Sequence, residues 1–193
     1  MPTKTLTLIG GLIVLTIVLL FVATRQGTKQ PTPPQPQPSL APAASPTPTP
    51  PAYTTLQLSP NPVSIEAGGK GTVQVLIDTH ENTITGVQLE LSYDPKALTN
   101  VVITPGAFFQ NPLIIPQWNK VDQATGRISH AQVLTPAQAG VQGKGIVATI
   151  TFTRATGTPS AQTTLEFLPK TAVTQSGISP SVLKSMSNTT INL

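Results

Sequence analysis

The densest group of acid–base and metal-capable side chains in this chain is Asp78-Thr79-His80-Glu81. A bound metal needs three or four donors converging on one point, and a His ligand is usually joined by a second His or a Cys at short spacing. Neither lies near this tetrapeptide, so its expected role is a polar turn. The other histidine, His130, stands alone in a strand-like stretch, where it is either packed or solvent-facing. Glycoside hydrolysis needs two carboxyl groups flanking the scissile bond. Seven acidic residues are available, and none sits in a context that suggests such a pair. With no cysteine, the chain has no disulfides, thiolate metal sites or cysteine nucleophiles. It also has no Gly-x-Ser-x-Gly turn and no phosphate-binding glycine loop. The expectation is a protein with no catalytic residues, no metal and no cofactor.

What remains is recognition through hydrogen bonds and packing. Gln88, Glu90 and Ser92 alternate with Val87, Leu89, Leu91 and Tyr93. Successive side chains of a strand point to opposite faces, so the three polar groups share one face and the apolar four point into a core. An amide, a carboxylate and a hydroxyl in one row make a candidate partner-binding face; the plainer alternative is a solvated strand surface. Aromatic rings are scarce. Tyr93 and Phe152 fall on inward phases, which leaves Trp118 and the Phe108-Phe109 pair as the candidates for exposure. Trp118 is expected to be partly buried. The Phe pair, in a Pro/Gly-bounded loop, is either a plug on the core or an exposed contact.

The elements that would position these residues are strands. Val73, Val75 and Ile77 alternate within Thr72–Asp78, as do Ala148, Ile150 and Phe152 within Ala148–Thr153. Further strands are expected over 55–58, 62–66, 99–104, 114–120, 126–134, 163–168 and 186–192. Turn-forming stretches such as Ala67–Gly71, Asp122–Gly126 and Thr156–Pro159 separate them. Asp94–Leu98 can form a single helical turn. The fold class expected is all-β, a jelly-roll β-sandwich of about nine strands.

This domain, residues 55–193, follows three other segments. Residues 1–5 are a short stub. Residues 6–24 begin LTLIGGLIVLTIVLLFVA, an uncharged run whose eighteen residues rise about 27 Å as a helix, close to a bilayer core of about 30 Å. A single transmembrane signal-anchor helix is expected. The competing reading, a cleaved signal peptide and a secreted domain, calls for a shorter run and a small-x-small cleavage site, which Phe21-Val22-Ala23 matches poorly. Residues 25–54 hold ten prolines between 30 and 51. Proline fixes φ and removes an amide donor, so a disordered, extended stalk is expected, with a reach of roughly 95 Å at polyproline II spacing. The charges flanking the apolar run are nearly balanced. The stalk and β-domain read as exported material, which places the N-terminus in the cytoplasm and the domain outside. Of eleven basic residues, Lys4, Arg25 and Lys29 flank the run; eight remain in the domain beside all seven acidic ones, a net of about +1. Interspersed signs without a basic stripe argue against nucleic-acid binding.

The order of features resembles a cohesin domain. The similarity begins at Ser59-Pro60-Asn61-Pro62 and the strand GGKGTVQVLIDT. It is sharpest in Thr85-Gly86-Val87-Gln88-Leu89-Glu90-Leu91-Ser92-Tyr93-Asp94-Pro95-Lys96-Ala97-Leu98, and it continues through Val101–Gly106, Gly126-Arg127-Ile128 and Gly145–Phe152 to cover about 56–193. Gly86, Tyr93, Asp94 and Pro95 form the structural part of this motif: the ring ends a strand, Asp94 caps the next turn and Pro95 suits a first helical position. The resemblance implies a jelly-roll module that receives dockerin proteins, here displayed at the cell surface and linked to polysaccharide breakdown. Many cohesins carry an Asn and an Asp at the outward positions that match Gly86 and Gln88. If the same sheet face is used here, its partner-binding residues are Gln88, Glu90 and Ser92. The alternatives are a carbohydrate-binding or adhesin-type sandwich, and a purely architectural display domain.

Overall fold

The computed structural model describes residues 51–157, 160–178 and 180–193. The expected stub, the membrane helix and all of the stalk before Pro51 lie outside the described residues. Among those described, no helix is long and apolar enough to cross a membrane.

Among the described residues thirteen strands follow in order: β1 (Thr54–Ser59), β2 (Val63–Ser64), β3 (Lys70–Asp78), β4 (Ile84–Tyr93), β5 (Leu98–Pro105), β6 (Leu113–Ile114), β7 (Lys120–Asp122), β8 (Arg127–Val133), β9 (Lys144–Arg154), β10 (Gln162–Phe167), β11 (Ala172–Gln175), β12 (Leu183–Ser187) and β13 (Thr189–Asn192). They form two sheets. One has the order β12-β1-β3-β9-β5; the larger has the order β2-β13-β10-β4-β8-β6, with β11 also on β4 and β7 also on β8. The count exceeds the expected nine partly because single columns are interrupted. β10 pairs with the end of β4 and β11 with its beginning, while β6 and β7 divide β8 in the same way.

The alternation read from sequence is what holds the layers together. Val73, Val75 and Ile77 of β3, Val87, Leu89 and Leu91 of β4, Ile128 of β8 and Ile150 of β9 are buried in one core. Each such side chain contributes about 1.5–3 kcal/mol relative to exposure. Phe108 and Phe109 are buried too, edge to face with ring centroids 4.9 Å apart, so the pair plugs the core.

Two expected strands are not single strands. The stretch 114–120 is β6, then a 3₁₀ turn at Pro116–Trp118, then β7. Proline has no amide to donate, and this segment lies at the sheet edge, where losing ladder bonds costs least. The stretch 186–192 breaks at Asn188, and its halves join opposite sheets as β12 and β13. The side chain of Asn188 accepts the Phe167 amide at 3.0 Å, and its carbonyl accepts from Asn61 Nδ2 at 3.3 Å. These bonds hold the corner where the chain crosses between layers.

Candidate functional site

The outer face of the larger sheet is set by β4. Its register with β8 places Gln88 opposite Ala131, Glu90 opposite Ser129 and Ser92 opposite Arg127. β7 extends two rows outward, with Lys120 opposite Ser129 and Asp122 opposite Arg127. On the other side, Glu166 of β10 pairs with Ser92, and Ala172 of β11 pairs with Gln88. Gln88, Glu90 and Ser92 are all half-buried on this surface. Carboxylates and basic groups alternate across it, so it has no strong field of one sign.

Glu90 is the most constrained of the three. Its Oε2 accepts from Ser129 Oγ at 3.0 Å, its amide donates to Thr171 Oγ1 at 3.1 Å, and its carbonyl accepts from that hydroxyl at 2.9 Å. Beside it lies a shallow cavity of about 200 Å³ lined by Glu90, Arg127, Leu168, Pro169 and Lys170. Gly86 closes the opposite end of the face. A Cβ there would lie 2.8 Å from Thr174 Oγ1 and 2.9 Å from Val133 Cγ1, so the position holds no side chain without moving its neighbours.

Tyr93, Asp94 and Pro95 stand at the end of β4 and support it. The Tyr93 hydroxyl donates to Gln123 Oε1 at 3.1 Å, and Gln123 Nε2 donates to the Val101 carbonyl at 2.7 Å. Burial, and secondarily the Asp122 charge, raises the Tyr93 pKa, so the phenol stays a donor. Asp94 Oδ1 accepts the Lys96 amide at 2.8 Å, and its carbonyl accepts the amides of Ala97 and Leu98, which makes the expected single turn. Gly126, at φ +68°, lies against the Tyr93 carbonyl and donates its amide to Asp122 O. A left-handed residue with no side chain is what this approach requires.

The remaining chemically capable residues lie elsewhere. His80 is an exposed turn residue at φ +49°, with its amide bonded to Asp78 Oδ1. Lys144 Nζ lies 2.8 Å from Asp78 Oδ2, and this bond, with that of the His80 amide, holds the Asp78 carboxyl below its usual pKa. Among the described residues no group of three or more His, Cys, Asp or Glu could hold a metal. His130 is fully buried, because β8 aligns Ile128, His130 and Gln132 with the inward Leu91, Leu89 and Val87. Its Nδ1 lies 2.9 Å from Asn119 Oδ1, and burial lowers its pKa to about 4. The sequence left both facings of His130 open, and the pairing of Ile128 with Leu91 decides between them. Trp118, expected to be partly buried in a strand, instead sits on the 3₁₀ turn and is 46% exposed.

The Cohesin domain family profile matches residues 56–193, from within β1 to the end of the sandwich. The chain belongs to the cohesin domain family. No curated protein matches it. Solved cohesins share its fold at low identity. The third cohesin of ScaC from Acetivibrio cellulolyticus, solved with the ScaB dockerin, is 16% identical, with a TM-score of 0.60 over 73% of this chain and 99% of that one. CaCohA2 from Clostridium acetobutylicum is 20% identical, with a TM-score of 0.57 over 72% and 90%. A non-cellulosomal cohesin from the archaeon Archaeoglobus fulgidus is 19% identical, with a TM-score of 0.54 over 73% and 91%. In this cohesin domain, Gly86, Tyr93 and the polar trio Gln88, Glu90 and Ser92 lie on β4, and Asp94 and Pro95 form the turn that follows it. Gly86 lies on the same outward face as the trio, whereas Tyr93 is buried on the core side.

Proposed function

We propose that this cohesin domain is a non-catalytic binding module that docks a dockerin-type protein on the outer face of β4 and β8. The observation that carries the reading is the registered array of Gln88, Glu90, Ser92, Arg127 and Ser129 on a rigid central pair of strands. Sites built on sheet strands hold their geometry better than sites on loops. Several of the structurally similar cohesins were solved as complexes with dockerins, which supports the choice of partner. In this reading the domain is a jelly roll carried outside the cell on an apolar N-terminal anchor and a proline-rich stalk. The attachment serves assembly of surface enzymes, with polysaccharide breakdown as the associated process.

The test is a titration of the full-length chain, immobilised, with a panel of dockerin modules in calcium and in chelator, alongside cellulose and xylan. Calcium-dependent dockerin binding weakened by Gln88→Ala and Arg127→Ala is the expected result. Retention on polysaccharide with no dockerin bound would move the module to the carbohydrate-binding reading, and binding to neither would leave an architectural display domain.

A further inference from the structure

The edge of the candidate face contains a feature that the ladder does not require. β6 and β7 both pair with β8, and Ile115 N donates to Ala131 O at 3.0 Å in register with β6. Pairing resumes only at Lys120 opposite Ser129. Between them the chain leaves the edge as the 3₁₀ turn Pro116–Trp118, closed by Trp118 N to Ile115 O at 3.0 Å and Asn119 N to Pro116 O at 3.2 Å. The base of this excursion is pinned from below by the bond between Asn119 Oδ1 and the buried His130 Nδ1. Departures of this kind from an edge strand re-aim side chains and end pairing.

The paired strand β6 and the turn after it carry the large exposed apolar side chains described for this sheet. Among the described residues four large hydrophobic side chains are exposed. Val102 and Met186 belong to the five-stranded sheet, while Leu113 at 58% and Trp118 at 46% lie on β6 and its turn. The rest of the face offers fewer free anchors, because Gly86 at its end presents no side chain and Glu90 Oε2 at its centre is already engaged by Ser129. Binding energy at protein interfaces concentrates on a few residues, with Trp and Arg enriched and charged groups depleted at the centre. We infer that Trp118, with Leu113, is the principal anchor for the docked protein, and that its partner presents an apolar contact at the β6–β7 edge. This rests on the docking reading above and is continuous with that face through β8. The other exposed apolar side chain of this edge, Leu113, is aliphatic, which favours a protein over a sugar. Sugar rings stack on aromatic faces, which aliphatic side chains do not provide.

Trp118 is the chain's one tryptophan, so the full-length protein labelled with 5-fluorotryptophan carries a single fluorine reporter at this position. Titrated with the dockerin panel in calcium, its resonance should shift in step with binding. Trp118→Ala should weaken that binding at least about 30-fold, the scale of an interface hot spot, and Leu113→Ser about 5-fold or more. Trp118→Phe should restore most of the loss. Dockerin binding with an unmoved resonance and an unchanged affinity for Trp118→Ala overturns the inference while leaving the docking reading in place. A panel with no binder removes both. A shift on adding cello-oligosaccharides but not dockerin makes Trp118 a sugar platform and overturns the protein assignment.

Discussion

Because His130 is buried as a neutral ring, the domain should lose stability on acidification in a window set by that one side chain. The folded pKa is about 4 and the ordinary value is 6.5. The unfolded chain therefore takes up a proton that the folded chain resists, and stability follows the difference in bound protons. The contribution is complete above pH 6.5, declines as the pH falls, and levels off below pH 4, where both states are protonated. At 1.36 kcal/mol per pKa unit, the 2.5-unit gap corresponds to a total loss of about 3 kcal/mol, of which about 2 kcal/mol is gone by pH 5. The assay is urea unfolding followed by the fluorescence of Trp118, next in sequence to the residue that bonds His130. His130→Gln keeps a donor for Asn119 and removes the titration. Carboxylates titrate in both proteins, so the quantity read is the difference between them. That difference should shrink by about 3 kcal/mol between pH 7.5 and 4 in favour of the variant. Curves that stay parallel across this range would refute the assignment of a buried, unprotonated histidine.

Other expectations concern the framework of the face. Leu89→Ala empties a fully buried site on the central strand and should cost about 2–5 kcal/mol in chemical unfolding. Gly86→Asn has to displace Val133 and Thr174, so thermal unfolding should show a loss of about 1–3 kcal/mol. A variant as stable as the parent would show that this end of the face is open. Gly126→Ala places a Cβ against the Tyr93 carbonyl at positive φ, and should cost more than the roughly 1 kcal/mol expected of the left-handed conformation alone. A loss below that would mean that the turn relaxes.

Much of the architecture was legible in local patterns. β3, β4 and β9 announce themselves by two-residue alternation, since a strand with one buried face must repeat its apolar residues with the period of the pleat. The turn after Tyr93 was equally readable, because Asp94 and Pro95 act on backbone groups within four residues of themselves. The same locality identified the polar trio as sharing one face.

What the chain's own pattern left open was decided by neighbours distant in sequence. Whether His130 faces water or core depends on the register of β8 against β4, which is fixed by pairing Ile128 with Leu91 and is not local to the histidine. The corner at Asn188 exists because Phe167 and Asn61 bond to it across 21 and 127 positions, so one apparent strand serves two sheets. Trp118 is exposed because its strand lies at an edge, where Pro116 can divert the chain without leaving a buried ladder bond unmade. The sequence alone determined the strand periodicity, the absence of cysteine chemistry and the cohesin motif, all of which rest on residue types and short spacings. Sheet order, edge position and register come from long-range pairing, and these place Gln88, Glu90 and Ser92 beside Arg127 and Ser129, with the Trp118 turn on the far side of β8.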